Sequence, residues 1–201
     1  MIEILGRKMR LVFQSPTAPP APPQTEEESE TNPLIEFSAW AEDCRLYGTL
    51  ALDGDRLSDM LNLYEDLVLV DVLAQGLEGG PISEISELSI NREEILLVEA
   101  SGPRGNPDRR RHLRPVPISV RLGEFGVRGY VHLSPGADPM VALSRRPPMV
   151  ALTDAQVTYR DALQPLSDAE HPTVLFNWHL VTSVDVANRH VVRLGSLTGA
   201  A

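Results

Sequence analysis

Apolar and polar side chains alternate through residues 35–41 and again through 116–122, the period-two pattern of a strand with one buried face. Residues 67–74 are apolar almost throughout and read as a strand covered on both faces. Between Arg56 and Leu63 the spacing changes. Leu57, Met60 and Leu61 fall at helical intervals there, predicting a short helical turn with Ser58 or Asp59 as its cap. Gly48 and Gly129 interrupt strand patterns, where a missing side chain permits a bulge or sharp bend. Short strands that bend in this way tend to close into small barrels, which removes exposed edges. The pattern predicts a mainly all-β fold.

Sliding the sequence along itself by 81 residues superposes two of these patterns. Ile35, Phe37, Ala39 and Ala41 fall on Val116, Ile118, Val120 and Leu122, and Gly48 falls on Gly129. Two extra residues in the next loop bring Leu67, Leu69 and Asp71 onto Val150, Leu152 and Asp154. Residues 95–98 and 174–181 are expected to supply a later strand in each copy. Apolar positions, glycine and aspartate coincide in order, so the chain reads as a duplicated β-unit. This gives an N-terminal peptide (1–14), a linker (15–33), a first β-domain (34–100), an arginine-rich linker (101–115) and a second β-domain (116–201). Copies of roughly 70–80 residues are small for an independent core, so face-to-face packing of the two, or oligomerisation, is expected.

Residues 15–33 hold six prolines and an acidic run, with no Val, Ile, Leu or aromatic side chain. Such a segment buries too little surface to offset its ordering entropy and reads as a disordered Pro/Glu linker. Ahead of it, Ile2, Leu5, Met9, Val12 and Phe13 share one helical face. That face is either a docking peptide or weak membrane-surface helix, or a first strand or helix packed on the body. The net charge of −10 argues against nucleic acid as the default partner. The imbalance is local: the first hundred residues carry six basic and 20 acidic groups, the remainder twelve and eight. Such asymmetry suits two domains of unlike surface, or head-to-tail association. One lysine beside 17 arginines, with many Ala, Pro and Gly, looks like a GC-rich bacterial genome. The single cysteine, Cys44, excludes an internal disulfide framework and a cysteine-based zinc site. No apolar run nears the roughly 20 residues of a transmembrane helix, and Glu3, Arg7, Lys8 and Arg10 interrupt any signal-peptide core. A soluble, cytoplasmic protein is expected.

The pattern Gly48-Thr-Leu50, then Arg56-Leu-Ser-Asp59-Met-Leu-Asn62, then Leu69-Val-Asp71 resembles a group of uncharacterised bacterial small β-domain proteins with an RLSD-x-LN segment. The second copy keeps the apolar positions of Ala137–Leu143 but lacks counterparts of Asp59 and Asn62. More distantly, the chain is similar to Sm-like domains, which carry Gly-x-Leu in strand two, an Asp-x-x-Met-Asn loop, and an apolar third strand ending in Asp. Asp59-Met-Leu-Asn62 matches that loop only approximately, and the spacings on either side are longer. The resemblance implies two tandem small Sm-like β-barrel domains, ring-type assembly and a loop able to hold unstacked RNA bases.

Asp59 and Asn62 are the first candidates for a polar site, hydrogen-bonding a ligand or partner; the same residue types also cap and close turns. Asp71 and Asp154 read as turn formers at strand ends. Arg104, Arg109, Arg110, Arg111 and Arg114 lie in a Gly/Pro-rich stretch, which either grips phosphates or carboxylates or is a solvated linker facing the acidic first half. Arg110-x-x-x-Arg114 resembles the arginine pair of cyclic-dinucleotide-binding PilZ domains, whose later Asp/Asn-x-Ser-x-x-Gly is absent. No aromatic residue interleaves with these arginines for base stacking. The five histidines show no metal-ligand spacing, and neither nucleophile elbow nor phosphate loop is present. The expectation is a non-enzymatic assembly or adaptor protein without cofactor or metal, acting through a protein partner or self-association and an N-terminal docking peptide. The alternative is an RNA- or nucleotide-binding module using the 104–114 arginines.

Overall fold

The structure, a computed structural model, describes residues 32–103, 112–160 and 171–186, with the backbone alone of 3–4, 7–8 and 189–193. Arg104, Arg109, Arg110, Arg111, Ile2, Leu5, Met9, Phe13 and residues 15–31 lie outside this set. Glu3–Ile4 pairs antiparallel with Arg7–Lys8, so the backbone there is extended where the apolar spacing had suggested a helical face.

The first half contains β1 (Leu34–Trp40), β2 (Cys44–Ala51), α1 (Leu57–Leu63), β3 (Asp66–Gly76), β4 (Ile82–Asn91), a 3-10 turn (Arg92–Glu94) and β5 (Leu97–Glu99). The second half contains β6 (Arg114–Leu122), β7 (Phe125–Leu133), α2 (Pro139–Ser144), β8 (Met149–Tyr159), β9 (His171–Asn177), a 3-10 turn (Trp178–Leu180), β10 (Ser183–Val186) and β11 (Arg189–Arg193). The order of element types is the same up to β10. So is the pairing: the runs β5-β1-β2-β3-β4 and β10-β6-β7-β8-β9 are each antiparallel throughout.

Loop hydrogen bonds repeat as well. Arg92 N donates to Glu65 O as Trp178 N does to Pro148 O, and Leu96 N donates to Trp40 O as Thr182 N does to Arg121 O. Asn91 and Asn177 each accept from the backbone two residues on, opening the 3-10 turn. These matches place Asn91 on Asn177 and Val98 on Val184. The later strand of the first half that corresponds to 174–177 is therefore β4, and 95–98 corresponds to 181–184.

Among the described residues two separately closed barrels are not formed. The eleven strands make one open antiparallel sheet, because β9 spends its outer hydrogen bonds on β5 of the first half: Val174 pairs with Glu99, Leu175 with Val98 and Phe176 with Leu97. The halves thus join edge to edge, where face-to-face packing had been expected. Each keeps its own core. One gathers Phe37, Leu46, Leu69 and Leu88 under Leu57, Met60 and Leu61 of α1; the other gathers Ile118, Phe125, Leu152 and Phe176 under Leu143 of α2. At the junction Val98 and Leu175 face the first core while Leu97, Val174 and Phe176 face the second. The sheet is therefore covered on both faces there, and all five side chains are at most 1% exposed.

The glycines and aspartates that marked the two copies are parts of one device. Pairing of β2 with β3 shifts between Tyr47 and Thr49, and pairing of β7 with β8 shifts between Thr153 and Gln156. At each shift one glycine opposes two residues, the arrangement of a β-bulge. Asp71 and Asp154 are those bulged residues, with φ of 52° and 49°, and sit within strands rather than ending them. Aspartate tolerates this left-handed conformation better than most side chains. A Cβ on Gly48 would come within 3.0 Å of Val70 O, and one on Gly129 within 2.9 Å of Thr153 O. One face of β3 is open, and the bulge shifts the parity of the buried positions from 67 and 69 to 72 and 74. Val68 is 52% and Leu73 41% exposed, contrary to a strand covered on both sides.

Candidate functional site

The densest polar cluster lies where the halves meet. Arg45 of β2 stacks between Trp40 and Tyr47, its guanidinium carbon 4.5 Å from each ring centre. It donates to Ser38 Oγ (3.1 Å) and Glu99 Oε2 (3.3 Å). Glu99 also meets His171 Nδ1 of β9 at 3.2 Å, and the His171 ring stands edge-on to Trp40. Register explains the assembly. Trp40 and Arg45 are cross-strand partners, as are Ser38 and Glu99, so one sheet face carries all four. His171 is buried, and its contact ties β9 to the first half beyond the backbone ladder.

Asn62 belongs to the same seam. Its side-chain amide donates to Met149 O (3.0 Å) and Ser58 O (2.8 Å), and its oxygen accepts from Met149 N (2.8 Å). It therefore behaves as an added strand partner for the start of β8 and is spent within the fold. Asp59 is not the helix cap. Arg56 holds that position without a side-chain cap bond, and its guanidinium grips Asp59 through Nε (2.7 Å) and Nη2 (2.9 Å). The cap expected in the first half occurs in the second, where Asp138 accepts from Met140 N and Val141 N. Buried Arg92 donates to Leu61 O and Tyr64 O at the end of α1, and Asn177 Nδ2 donates to Arg92 O across the seam. Arg114 is exposed at the start of β6. Asp59, Asn62 and Arg114 thus carry no common site, and Arg109, Arg110 and Arg111 are not among the described residues.

Chemistry of the nucleophilic kind finds no support at Cys44. Burial, then the charge of Asp43 and a hydrogen bond to it, push its thiol up to about 12. At neutral pH it is a small apolar core residue. Among the described residues no group of three or more His, Cys, Asp or Glu side chains is placed to hold a metal. No described helix is long and apolar enough to cross a membrane.

Sequence reasoning missed Trp40, Arg45, Glu99, His171 and Asn177. Asn177 was visible in principle, since a shift of 86 residues sets it on Asn91. Trp40 and Arg45 meet across the β1–β2 hairpin and Glu99 joins them by the pairing of β5 with β1, whereas His171 arrives only through the pairing of β9 with β5.

The sheet has two outer edges. At one, β4 has no strand on its outer side among the described residues and presents Ile82, 56% exposed, with Glu84 and Glu87 along its length. At the other is β11, whose sequence Arg-His-Val-Val-Arg is basic. Comparison with known families, curated proteins and solved structures finds no match to this chain.

Proposed function

We propose that this is a non-enzymatic assembly protein of two tandem Sm-like β-units, and that copies associate head to tail through the outer edges of the sheet. The observation that carries the reading is the internal seam. The edge of one five-strand run already pairs with an edge of the other, so edge-to-edge strand addition is a contact this fold makes; with β10 covered by β11, the edges left for it between copies are β4 and β11. Such a contact is heterologous: it extends or closes a chain of units rather than making a two-fold dimer. The acidic β4 and basic β11 are complementary, which favours this pairing over like edges. A ten-residue strand with an open backbone edge is also a template for strand addition, and its two glutamates limit unspecific pairing. In support of the Sm-like element, α1 with Asp59 and Asn62 falls between the second and third strands, where the resemblance puts its Asp/Asn loop.

Light scattering of the full chain across concentration and salt tests this. Mass is expected to rise with concentration and fall with salt. Glu84→Lys with Glu87→Lys weakens association, and Arg189→Glu with Arg193→Glu in the mixing partner restores it. A strict monomer throughout, unchanged on removing residues 1–31, removes the reading.

A further inference from the structure

Shared pairing makes the two halves comparable residue by residue, and they differ sharply at one position. Register sets Arg121 on Trp40, Gly126 on Arg45, Arg128 on Tyr47, Ser119 on Ser38 and Asp185 on Glu99. In the first half the Arg45 side chain fills this place, stacked between two aromatic rings. In the second half the filling residue is a glycine and both aromatic walls are arginines.

Among the described residues the corresponding space is open. A cavity of about 250 Å3 lies over Gly126, lined by Ser119, Arg121, Arg128, Ser183 and Asp185 among others. It shares Ser119, Arg128 and Asp185 with a second cavity of about 630 Å3 over Gly129, lined further by Tyr130, Asp154 and Gln156. A side chain at 126 would force Thr158 to turn. A Cβ at 126 would come within 2.7 Å of Thr158 Oγ1, which itself donates to Gly126 O.

Charge changes along with shape. The first-half site pairs one guanidinium with one carboxylate and stacks the cation on π faces. Around Gly126, two guanidiniums line an open cleft with one carboxylate, Asp185. A bound cation would meet Arg121 and Arg128 where the first half offers rings. An oxoanion meets planar donor forks matched to its geometry. We propose that the Gly126 cleft binds a small oxoanion, phosphate or carboxylate, between Arg121 and Arg128, with Ser119 and Ser183 as hydroxyl donors. The uncharged remainder of the ligand extends over Gly129 towards Tyr130 and Gln156. The site lies within one chain and does not depend on association between copies.

Backbone amide spectra of the full chain, titrated at constant ionic strength with inorganic phosphate and separately with acetate, test this and separate the two anion types. Saturable shifts at Ser119, Gly126 and Ser183 are expected with at least one of the anions, at millimolar concentration or below. Arg121→Ala and Arg128→Ala each weaken that binding roughly tenfold, the loss of one charge-assisted contact. Arg114→Ala, an exposed arginine on the same strand outside the cleft, leaves it unchanged. Shifts that never saturate with either anion, or an equal loss in Arg114→Ala, overturn the site and assign the effect to general surface charge.

Discussion

Cys44 shows how strongly position governs a side chain here. Its thiol is 1% exposed, beside Asp43, and its pKa rises from 9.0 to about 12. The folded state thus holds the thiol proton more tightly than the unfolded chain. The resulting stabilisation is intact below about pH 9 and is lost as pH climbs through about 12. Denaturant titrations are expected to show stability falling across this window, with a shallower fall in Cys44→Ala. A thiol reagent at pH 8 should label the protein only as fast as it opens. The bulge aspartates supply a second residue-scale test. Asp71→Val puts a β-branched side chain at φ 52° and should cost about 1–3 kcal/mol in chemical denaturation, whereas Asp71→Gly is tolerated. The sequence comparison had marked Asp71 and Gly48 together, yet assigned the aspartate to a turn. Composition shows that Asp suits a left-handed backbone. Only the pairing shows that this conformation lies mid-strand, opposite a glycine.

At the scale of elements, α1 was legible from the spacing of Leu57, Met60 and Leu61, and its range was read almost to the residue. What was not legible is the neighbour of its polar face. Asn62 was weighed between ligand contact and turn closure, and instead bonds a backbone 87 positions away. Asn62→Ala leaves Met149 N without its acceptor and should destabilise the fold by about 1–3 kcal/mol in denaturant melts. Asn62→Asp keeps an acceptor for Met149 N but puts a carboxylate against Met149 O and Ser58 O, and is expected to cost at least as much. The strand β3 gives the opposite lesson. Its unbroken apolar run suggested two covered faces, but Val68 faces outward by plain alternation and the bulge at Asp71 shifts the parity, so that Leu73 faces outward with it. Periodicity tells which residues share a face only while the register is regular.

For the whole molecule, the seam decides cooperativity. Junction strands are buried on both faces, and each core borrows side chains from the other half: Met149 and Leu175 in the first, Trp40 and Leu97 in the second. Cutting the chain after residue 103 would strip β5 of β9 and expose those surfaces. The full chain is therefore expected to unfold in one transition by calorimetry and by fluorescence alike, whereas a 32–103 fragment aggregates or fails to fold. Hydrogen exchange of the chain diluted to monomer should rank the amides of Val98 and Leu175 among the slowest and those of β4 and β11 among the fastest.

The amino-acid order by itself determined the strand and helix types, the two-fold recurrence of the pattern and the glycine–aspartate pairs, because these follow from local periodicity and from backbone conformations open to few residue types. Only the tertiary structure decided that the halves share one sheet, that Asn62, Glu99 and His171 serve the seam, and that replacing Arg45 by Gly126 opens a cleft. Those outcomes depend on which strand edge finds which partner, and hydrogen-bonding edges look alike in sequence.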